Sequence, residues 1–233
     1  MSAPSVSVIM PVRNGAPFVA NAIDSITAQS LRDLELIIVD DGSTDATWDI
    51  LKQAMKQDSR IRCFRQTALG LTASLNRAIR HSRAPLIARQ DADDISLRSR
   101  LEKQSTILNR RGLDLIVTRA YLHSTSRITP RLSYYLPKRF SVFFLNPFIH
   151  GTFMFTRDLI SNIGGYDESF TYSQDYKLIY DAYTAKARIG YLKKPLYVLG
   201  RSPNSISVTH HDEQEHLSRA VRALFWRSLI KSR

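Results

Sequence analysis

The sequence contains one cysteine, Cys63, among 233 residues. A single thiol excludes an internal disulfide framework and makes a reducing compartment the expected setting. Cys63 lies in Ile61-Arg62-Cys63-Phe64, where a buried small hydrophobe is expected rather than a nucleophile. Long hydrophobic runs are also missing: nothing approaches the roughly 18 apolar residues that span a bilayer. The longest apolar runs, such as Val142-Phe143-Phe144-Leu145, have the length of a core strand or loop. Met1-Ser2-Ala3-Pro4 has neither the charged n-region nor the apolar h-region of a signal peptide. These absences predict a cytoplasmic chain, soluble or peripheral on the inner face of the plasma membrane. There is no internal repeat and no low-complexity linker, so one domain over 1–233 is expected. Acidic residues are the minority, 21 against 33 Lys and Arg, which leaves a net charge of +12. Such a surface attracts nucleic acid, anionic lipid or phosphorylated substrates without choosing among them.

What is present is enough apolar sequence, 43%, to build a substantial core, and that sequence is periodic. Val6-Ser7-Val8-Ile9-Met10, closed by Pro11, reads as a buried strand. Phe18, Ala22, Ile23 and Ile26 then share one helical stripe. Leu34-Glu35-Leu36-Ile37-Ile38-Val39 is a second buried strand. A helix with Trp48, Leu51 and Met55 follows, with Asp45 as its expected N-cap. Ile61-Arg62-Cys63-Phe64, a helix marked by Leu71, Leu75, Ala78 and Ile79, and Pro85-Leu86-Ile87-Ala88-Arg89 continue the alternation. Four strand-helix units this short predict a parallel sheet with helices on both faces. Ligands of such sheets bind at the carboxyl ends of the strands. Two acidic clusters, Asp40-Asp41-Gly42-Ser43-Thr44-Asp45 and Asp91-Ala92-Asp93-Asp94, fall at those ends.

The second half is less regular. A helix with Leu101, Ile107 and Leu108 leads into Leu113-Asp114-Leu115-Ile116-Val117, and residues 121–149 read as a variable excursion. A strand is expected at Thr152-Phe153-Met154-Phe155, a turn at Gly164-Gly165-Tyr166-Asp167 and a helix from Tyr176 to Tyr183. Ile189-Gly190-Tyr191-Leu192 and Leu196-Tyr197-Val198-Leu199 read as two late strands, and residues 213–231 as a basic amphipathic helix.

Several carboxylates on one strand-end turn suit a hard divalent cation that leaves positions open for phosphate oxygens. The alternative for 91–94 is a solvated turn capping the next helix. Asp40 and Asp41 are read as two adjacent exposed acids able to bind a base or ribose, with Gly42 allowing close backbone approach. The alternative there is helix capping by Asp45 with both acids merely solvated.

The ordered set of motifs resembles family 2 glycosyltransferases of the GT-A fold, over about residues 5–205. The matching segments are Val6-Ser7-Val8-Ile9-Met10-Pro11-Val12-Arg13-Asn14-Gly15, Ile38-Val39-Asp40-Asp41-Gly42-Ser43-Thr44-Asp45 and Gly70-Leu71-Thr72-Ala73-Ser74-Leu75-Asn76. Further on they are Ala88-Arg89-Gln90-Asp91-Ala92-Asp93-Asp94, Gly164-Gly165-Tyr166-Asp167-Glu168-Ser169-Phe170 and Ser173-Gln174-Asp175-Tyr176-Lys177-Leu178. The resemblance implies an α/β fold with a single Rossmann-like, mostly parallel sheet flanked by helices and an irregular acceptor-side second half. It implies a nucleotide-binding half over 1–95, an acceptor half over 96–208 and a C-terminal helix over 209–233. It implies an inverting hexosyl- or N-acetylhexosaminyltransferase of cell-surface polysaccharide synthesis, moving sugar from a nucleotide-sugar, UDP-linked by expectation, to a saccharide or lipid-linked saccharide.

Carried over residue by residue, Pro11, Asp40 and Asp41 line the uridine pocket, with Val12, Arg13 and Ala92 also at the nucleotide-sugar site. Asp91 and Asp93 are the two acids of the DxD motif and the implied ligands of Mn²⁺ or Mg²⁺, Asp93 foremost. Asp175 matches the catalytic base, which takes the acceptor hydroxyl proton as that oxygen attacks the anomeric carbon. The sequence departs from the family pattern in having Gln174 where Glu is frequent, Arg13 where Tyr is frequent and Leu75 where Arg is frequent. A Gln-x-x-Arg-Trp string, the mark of processive members, is absent, which implies single additions. His150 is either a structural histidine or part of the acceptor pocket, and Arg201 and His210 are either exposed or close over the diphosphate.

The last helix carries Leu217, Ala220, Val221, Leu224, Phe225 and Leu229 on one stripe amid Arg219, Arg222, Arg227, Lys231 and Arg233. It can lie on an anionic membrane, pack on the domain or pair with another copy. Two other functions compete. A sugar-nucleotide pyrophosphorylase, a nucleotidyltransferase, needs a Gly-rich basic phosphate loop after strand one, which Pro11-Val12-Arg13-Asn14-Gly15 does not provide. A non-enzymatic polyanion binder is suggested by the net charge, but its groove would be basic and aromatic where these strand ends are acidic. No nucleic-acid partner is therefore expected.

Overall fold

The computed structural model describes residues 3–123, 125, 127–130, 146, 148–200 and 211–231. Strand β1 (Val6–Val12), α1 (Val19–Thr27), β2 (Leu34–Asp41), α2 (Thr47–Gln57), β3 (Ile61–Gln66), α3 (Leu71–His81) and β4 (Leu86–Arg89) form the expected alternation. β1 lies between β2 and β4 and β2 pairs with β3, all parallel. Every residue of β1 and β2 is buried, because helices cover both faces. The period of two is visible only in which layer each side chain enters. Val6, Val8, Met10, Leu36 and Ile38 join the layer beneath α1, α2 and α4, whereas Ile9, Ile37 and Val39 join the layer containing Leu75 and Ala78 of α3. Burying each such side chain contributes roughly 1.5–3 kcal/mol.

Beyond β4 the chain builds β5 (Ile95–Ser96), α4 (Arg100–Arg111), β6 (Leu115–Leu122), β7 (Ile128–Thr129), a 3₁₀ turn (His150–Thr152), β8 (Met154–Thr156), α5 (Arg157–Asn162), α6 (Gln174–Thr184), β9 (Ile189–Leu199) and α7 (His211–Lys231). One nine-stranded sheet results, in the order β3-β2-β1-β4-β8-β6-β9-β5 with β7 on β6. β8 enters antiparallel between β4 and β6, so parallel pairing is interrupted there and resumes between β6 and β9.

Four expectations need adjusting. Phe18 is at the N-cap of α1 rather than on its buried stripe, which is Val19, Ala22, Ile23 and Ile26. Helix α2 starts at Thr47 behind Ala46; Asp45 accepts the Thr47 N–H at 3.0 Å from just outside the cap, and also the Ala16 N–H at 3.1 Å. The two late strands are a single β9, with an irregularity in its pairing to β6 near exposed Lys193 and Lys194 and Pro195, which has no N–H to give. The strand expected from Thr152 begins at Met154, because His150–Thr152 closes into the 3₁₀ turn.

The C-terminal helix packs on the domain. Val221 and Phe225 are fully buried, and the Phe225 ring sits 5.0 Å from Tyr180, 5.5 Å from Tyr183 and 5.8 Å from Tyr176 of α6. Trp226 remains 46% exposed. Among the described residues no helix is long and apolar enough to cross a membrane.

Candidate functional site

The first acidic cluster shapes a loop. Contrary to the expectation of exposed acids, Asp40 and Asp41 are 0% and 4% exposed. Asp40 accepts the Ser43 N–H at 3.0 Å and pairs with the Arg65 guanidinium at 3.1 Å. Asp41 accepts from Gln66 Nε2 at 2.7 Å and from the Leu69 and Gly70 N–H groups at 2.8 and 2.9 Å. The carboxylates end inside the fold because the adjacent strand and loop supply donors. Gly42 has φ 73, and a Cβ there would lie 2.9 Å from the Ala68 nitrogen, so only glycine lets the two loops meet. The turn then fixes the loop after β1. Ser43 Oγ accepts the Asn14 N–H at 2.9 Å, Thr47 Oγ1 accepts the Gly15 N–H at 2.8 Å, and Asn14 Oδ1 accepts the Thr44 N–H at 2.9 Å.

The second cluster stays partly open. Gln90, fully buried, donates from Nε2 to the Asp91 and Asp94 carbonyls at 3.0 and 2.9 Å and accepts from Ser96 Oγ at 2.6 Å, which folds the turn. Asp94 points inward and accepts the Gly200 N–H at 2.6 Å. Burial, then the charges of Asp91 and Asp93, raises its pKa well above the usual carboxylate range. Burial and Asp91 also raise Asp93. Behind the turn lie two buried arginines. Arg89 pairs with Asp91, and Arg100 donates to the carbonyls of Arg89 and Gly151 at 3.0 and 2.8 Å beneath the Tyr197 ring. Burial lowers Arg100 to about 10. The Tyr197 hydroxyl accepts the Asp91 N–H at 3.0 Å. Gly151 leaves no room for a Cβ, which would meet the Tyr197 hydroxyl and the Asp91 carboxylate.

Helix α6 brings the base candidate. Ser173 turns the chain at φ 55, and Asp175 stands in the first turn. Burial pushes its pKa up to about 6, against the lowering effect of nearby N–H groups and Asn146, with the Asp91 charge adding to the rise. Asn146 Nδ2 donates to Asp175 Oδ2 at 2.6 Å, while Asn146 Oδ1 accepts the Phe148 N–H at 3.1 Å, which orients the amide. His150 Nε2 lies 2.8 Å from the Tyr166 hydroxyl, and burial, then Arg89, holds the ring well below the ordinary histidine range. It is a neutral, engaged imidazole.

These pieces line one cleft of about 520 Å³. Pro11, Val12, Arg13, Asp91, Ala92, Asp93, His150 and Asp175 all face it. Asp40 and Asp41 are not part of its wall, and Arg201 and His210 lie outside the described residues. Reading the sequence missed Phe18, Arg89, Gln214 and the support from Arg100, Tyr197 and Asn146. Arg89, two residues before Asp91 at a strand end, carried a signal; Asn146 and Gln214 depend on contacts across the fold. Among the described residues no three His, Cys, Asp or Glu side chains converge on one point. Asp91 and Asp93 nevertheless fit a divalent cation that takes one or two carboxylates and draws the rest from phosphate and water. They are hard oxygen donors crowded enough to repel. The Cys63 thiol, pushed up to about 12 mainly by burial, stays protonated and outside this cleft.

Residues 7–164 match the model of glycosyl transferase family 2. The chain belongs to that family. The family 2 chain is 37% identical to a putative glycosyltransferase, EpsE, of Bacillus subtilis over 71% of its own length and 61% of the relative's. It is 34% identical to the O-antigen biosynthesis glycosyltransferase WbnJ of Escherichia coli, over 74% of its length and 69% of that protein's. Its fold is that of S. aureus TarS in complex with UDP, with TM-score 0.75 at 19% identity, covering 94% of this chain and 64% of that one. The mannosyltransferase PcManGT of Pyrobaculum calidifontis, in complex with GDP-Man and Mn²⁺, gives TM-score 0.70 at 19% identity, covering 88% and 59%. This family 2 chain has the GT-A fold, and it spans about three-fifths to two-thirds of the length of the relatives named. Its departures from the family pattern are structurally distinct. Leu75 is fully buried in the core, Gln174 is nearly buried at the cleft, and Arg13 is exposed on the cleft rim.

Proposed function

We propose that the chain transfers a sugar, with inversion, from a UDP-sugar to a hydroxyl of a saccharide or lipid-linked saccharide in polysaccharide synthesis. The observation that carries this reading is a single cleft lined by the Asp91-Ala92-Asp93 turn and by Asp175, the charge of Asp91 reaching Asp175. Asp175, ionised above about pH 6, accepts the acceptor hydroxyl proton as the oxygen attacks the anomeric carbon. Asn146 holds Oδ2 and so orients the carboxylate in the cleft. Asp93, with Asp91, would hold Mn²⁺ or Mg²⁺, which when bound neutralises charge on the departing diphosphate. Arg89 keeps Asp91 aimed from below. The Pro11–Gly15 loop, fixed by the Asp40–Thr47 turn, forms the nucleotide wall. Asp40 and Asp41 thus serve the uridine pocket by shaping it.

UDP as the donor nucleotide draws support from TarS, which was solved with UDP and with UDP-GlcNAc. The Pyrobaculum enzyme holds GDP-Man, so the base is an experimental question. The polysaccharide context draws support from the name of the O-antigen relative. Calorimetric titration of UDP with Mn²⁺, with EDTA and on Asp93→Ala tests the donor site. Binding that needs Mn²⁺ and is lost in Asp93→Ala supports the reading; UDP binding unaffected by EDTA and by Asp93→Ala sinks it. GDP and dTDP titrations then decide the base.

A further inference from the structure

A second cavity of about 480 Å³ adjoins the cleft, lined by Thr171, Tyr172, Asp212, Glu213, His216 and Leu217. The two spaces share their walls. Residues 171 and 172 run directly into Ser173, Gln174 and Asp175 of the cleft, and residues 212–217 flank Gln214, which also lines the cleft. Ser173 joins the two segments: its hydroxyl donates to the Gln214 carbonyl at 2.9 Å and lies 2.8 Å from Ser218 Oγ. The positive φ of Ser173 swings the chain from one space into the other. A ligand that spanned both spaces would pass the Ser173–Asp175 segment, which borders the two.

We propose that this cavity is an acceptor subsite for a neutral saccharide, holding the sugar unit next to the one that presents its hydroxyl to Asp175. The proposal rests on the reading of Asp175 as the base and adds where the acceptor extends. Its chemistry suits a sugar. Tyr172 and Leu217 offer apolar surface for the C–H face of a pyranose, and Thr171, Asp212, Glu213 and His216 offer polar atoms for hydroxyls. Its charge excludes the diphosphate of a lipid carrier from the same space. Among the described residues that line it, two are carboxylates and none is Lys or Arg, on a chain whose net charge is +12. The C-terminal helix α7 is thereby part of acceptor recognition, and its burial of Phe225 against α6 keeps the subsite in register with Asp175.

The test is saturation-transfer NMR on the full chain, with UDP and Mn²⁺ present, using octyl β-glucoside, octyl β-galactoside, octyl β-lactoside and octyl β-cellobioside. A disaccharide is expected to bind at least about fivefold tighter than its matching monosaccharide, with saturation reaching both rings. Tyr172→Ala, and separately His216→Ala on the exposed helix face, should narrow that ratio to near one while the thermal transition stays in place. Equal binding of mono- and disaccharides, an unchanged ratio in both variants, or no saturation of any glycoside overturns the subsite. UDP titrated into the same samples separates the failures. UDP binding without a disaccharide preference rejects only the subsite, whereas loss of metal-dependent UDP binding rejects the transferase reading beneath it.

Discussion

Asp40-Asp41 ends β2 and Asp91-Ala92-Asp93-Asp94 follows β4, both buried parallel strands of one sheet, and both clusters are rich in carboxylates. The first pair sinks into the fold. Asp41 takes three donors, from Gln66 at the end of β3 and from the Leu69 and Gly70 N–H groups, and Asp40 takes the Ser43 N–H and the Arg65 charge. The second cluster is crowded by its own charges, with Asp93 and Asp94 both raised, and it opens on the cleft. A carboxylate met by donors or an opposite charge from the protein itself acts as a structural knot. A carboxylate short of compensation is held ready for a charge from outside. Asp175 belongs to the second kind, since burial outweighs the donors around it.

This contrast can be broken by substitution. The largest effect is expected from Asp175→Asn, which removes the proposed proton acceptor. Transfer should fall by about 10²–10⁴-fold while UDP binding persists. Its stability should move the other way. The folded pKa, about 6, lies above the unfolded value. The stabilising neutral form is therefore complete below the unfolded pKa and lost as pH rises through about 6. Thermal melts should show Asp175→Asn more stable than the parent at pH 8, with the gap closing toward pH 4. A parent that melts higher at pH 8 would contradict the assignment of a strained carboxylate.

The next effect is on folding. Asp41→Ala leaves the Leu69 and Gly70 N–H groups without their acceptor and Gln66 Nε2 with only Ser74 Oγ, and should cost about 3 kcal/mol in urea unfolding. Asp93→Asn relieves repulsion and should leave stability equal or higher while abolishing metal-dependent UDP binding. If Asp41→Ala melts like the parent, or Asp93→Asn destabilises, the two turns do not differ as described. The smallest effect belongs to Asn146→Ala. Loss of the 2.6 Å donor removes an influence that lowers the Asp175 pKa. The acid limb of kcat/KM should shift to higher pH, with about a 3–10-fold loss at pH 6 that shrinks by pH 8. A uniform loss at all pH values would mark Asn146 as merely structural.

The periodicity of Val6–Val12 and Leu34–Asp41, the four strand-helix units, and the placement of acids at strand ends were legible because local pattern and burial agree. The resemblance to family 2 glycosyltransferases implied one site for Pro11, Asp93 and Asp175, and all three line the cleft. The sequence could not say that Asp40 and Asp41 are buried, because their donors come from Arg65, Gln66 and residues 69–70 across a loop. Nor could it give Asn146 to Asp175, or Arg100 to the carbonyl of Arg89, since each pairing depends on how separate elements pack. The amphipathic stripe at the C-terminus was plain, but its partner was not. A stripe records only that a face must leave water, and the tyrosines of α6 decided what Phe225 would meet. Composition, order and the family resemblance thus singled out the candidate groups, and the tertiary structure decided which of their charges were already answered.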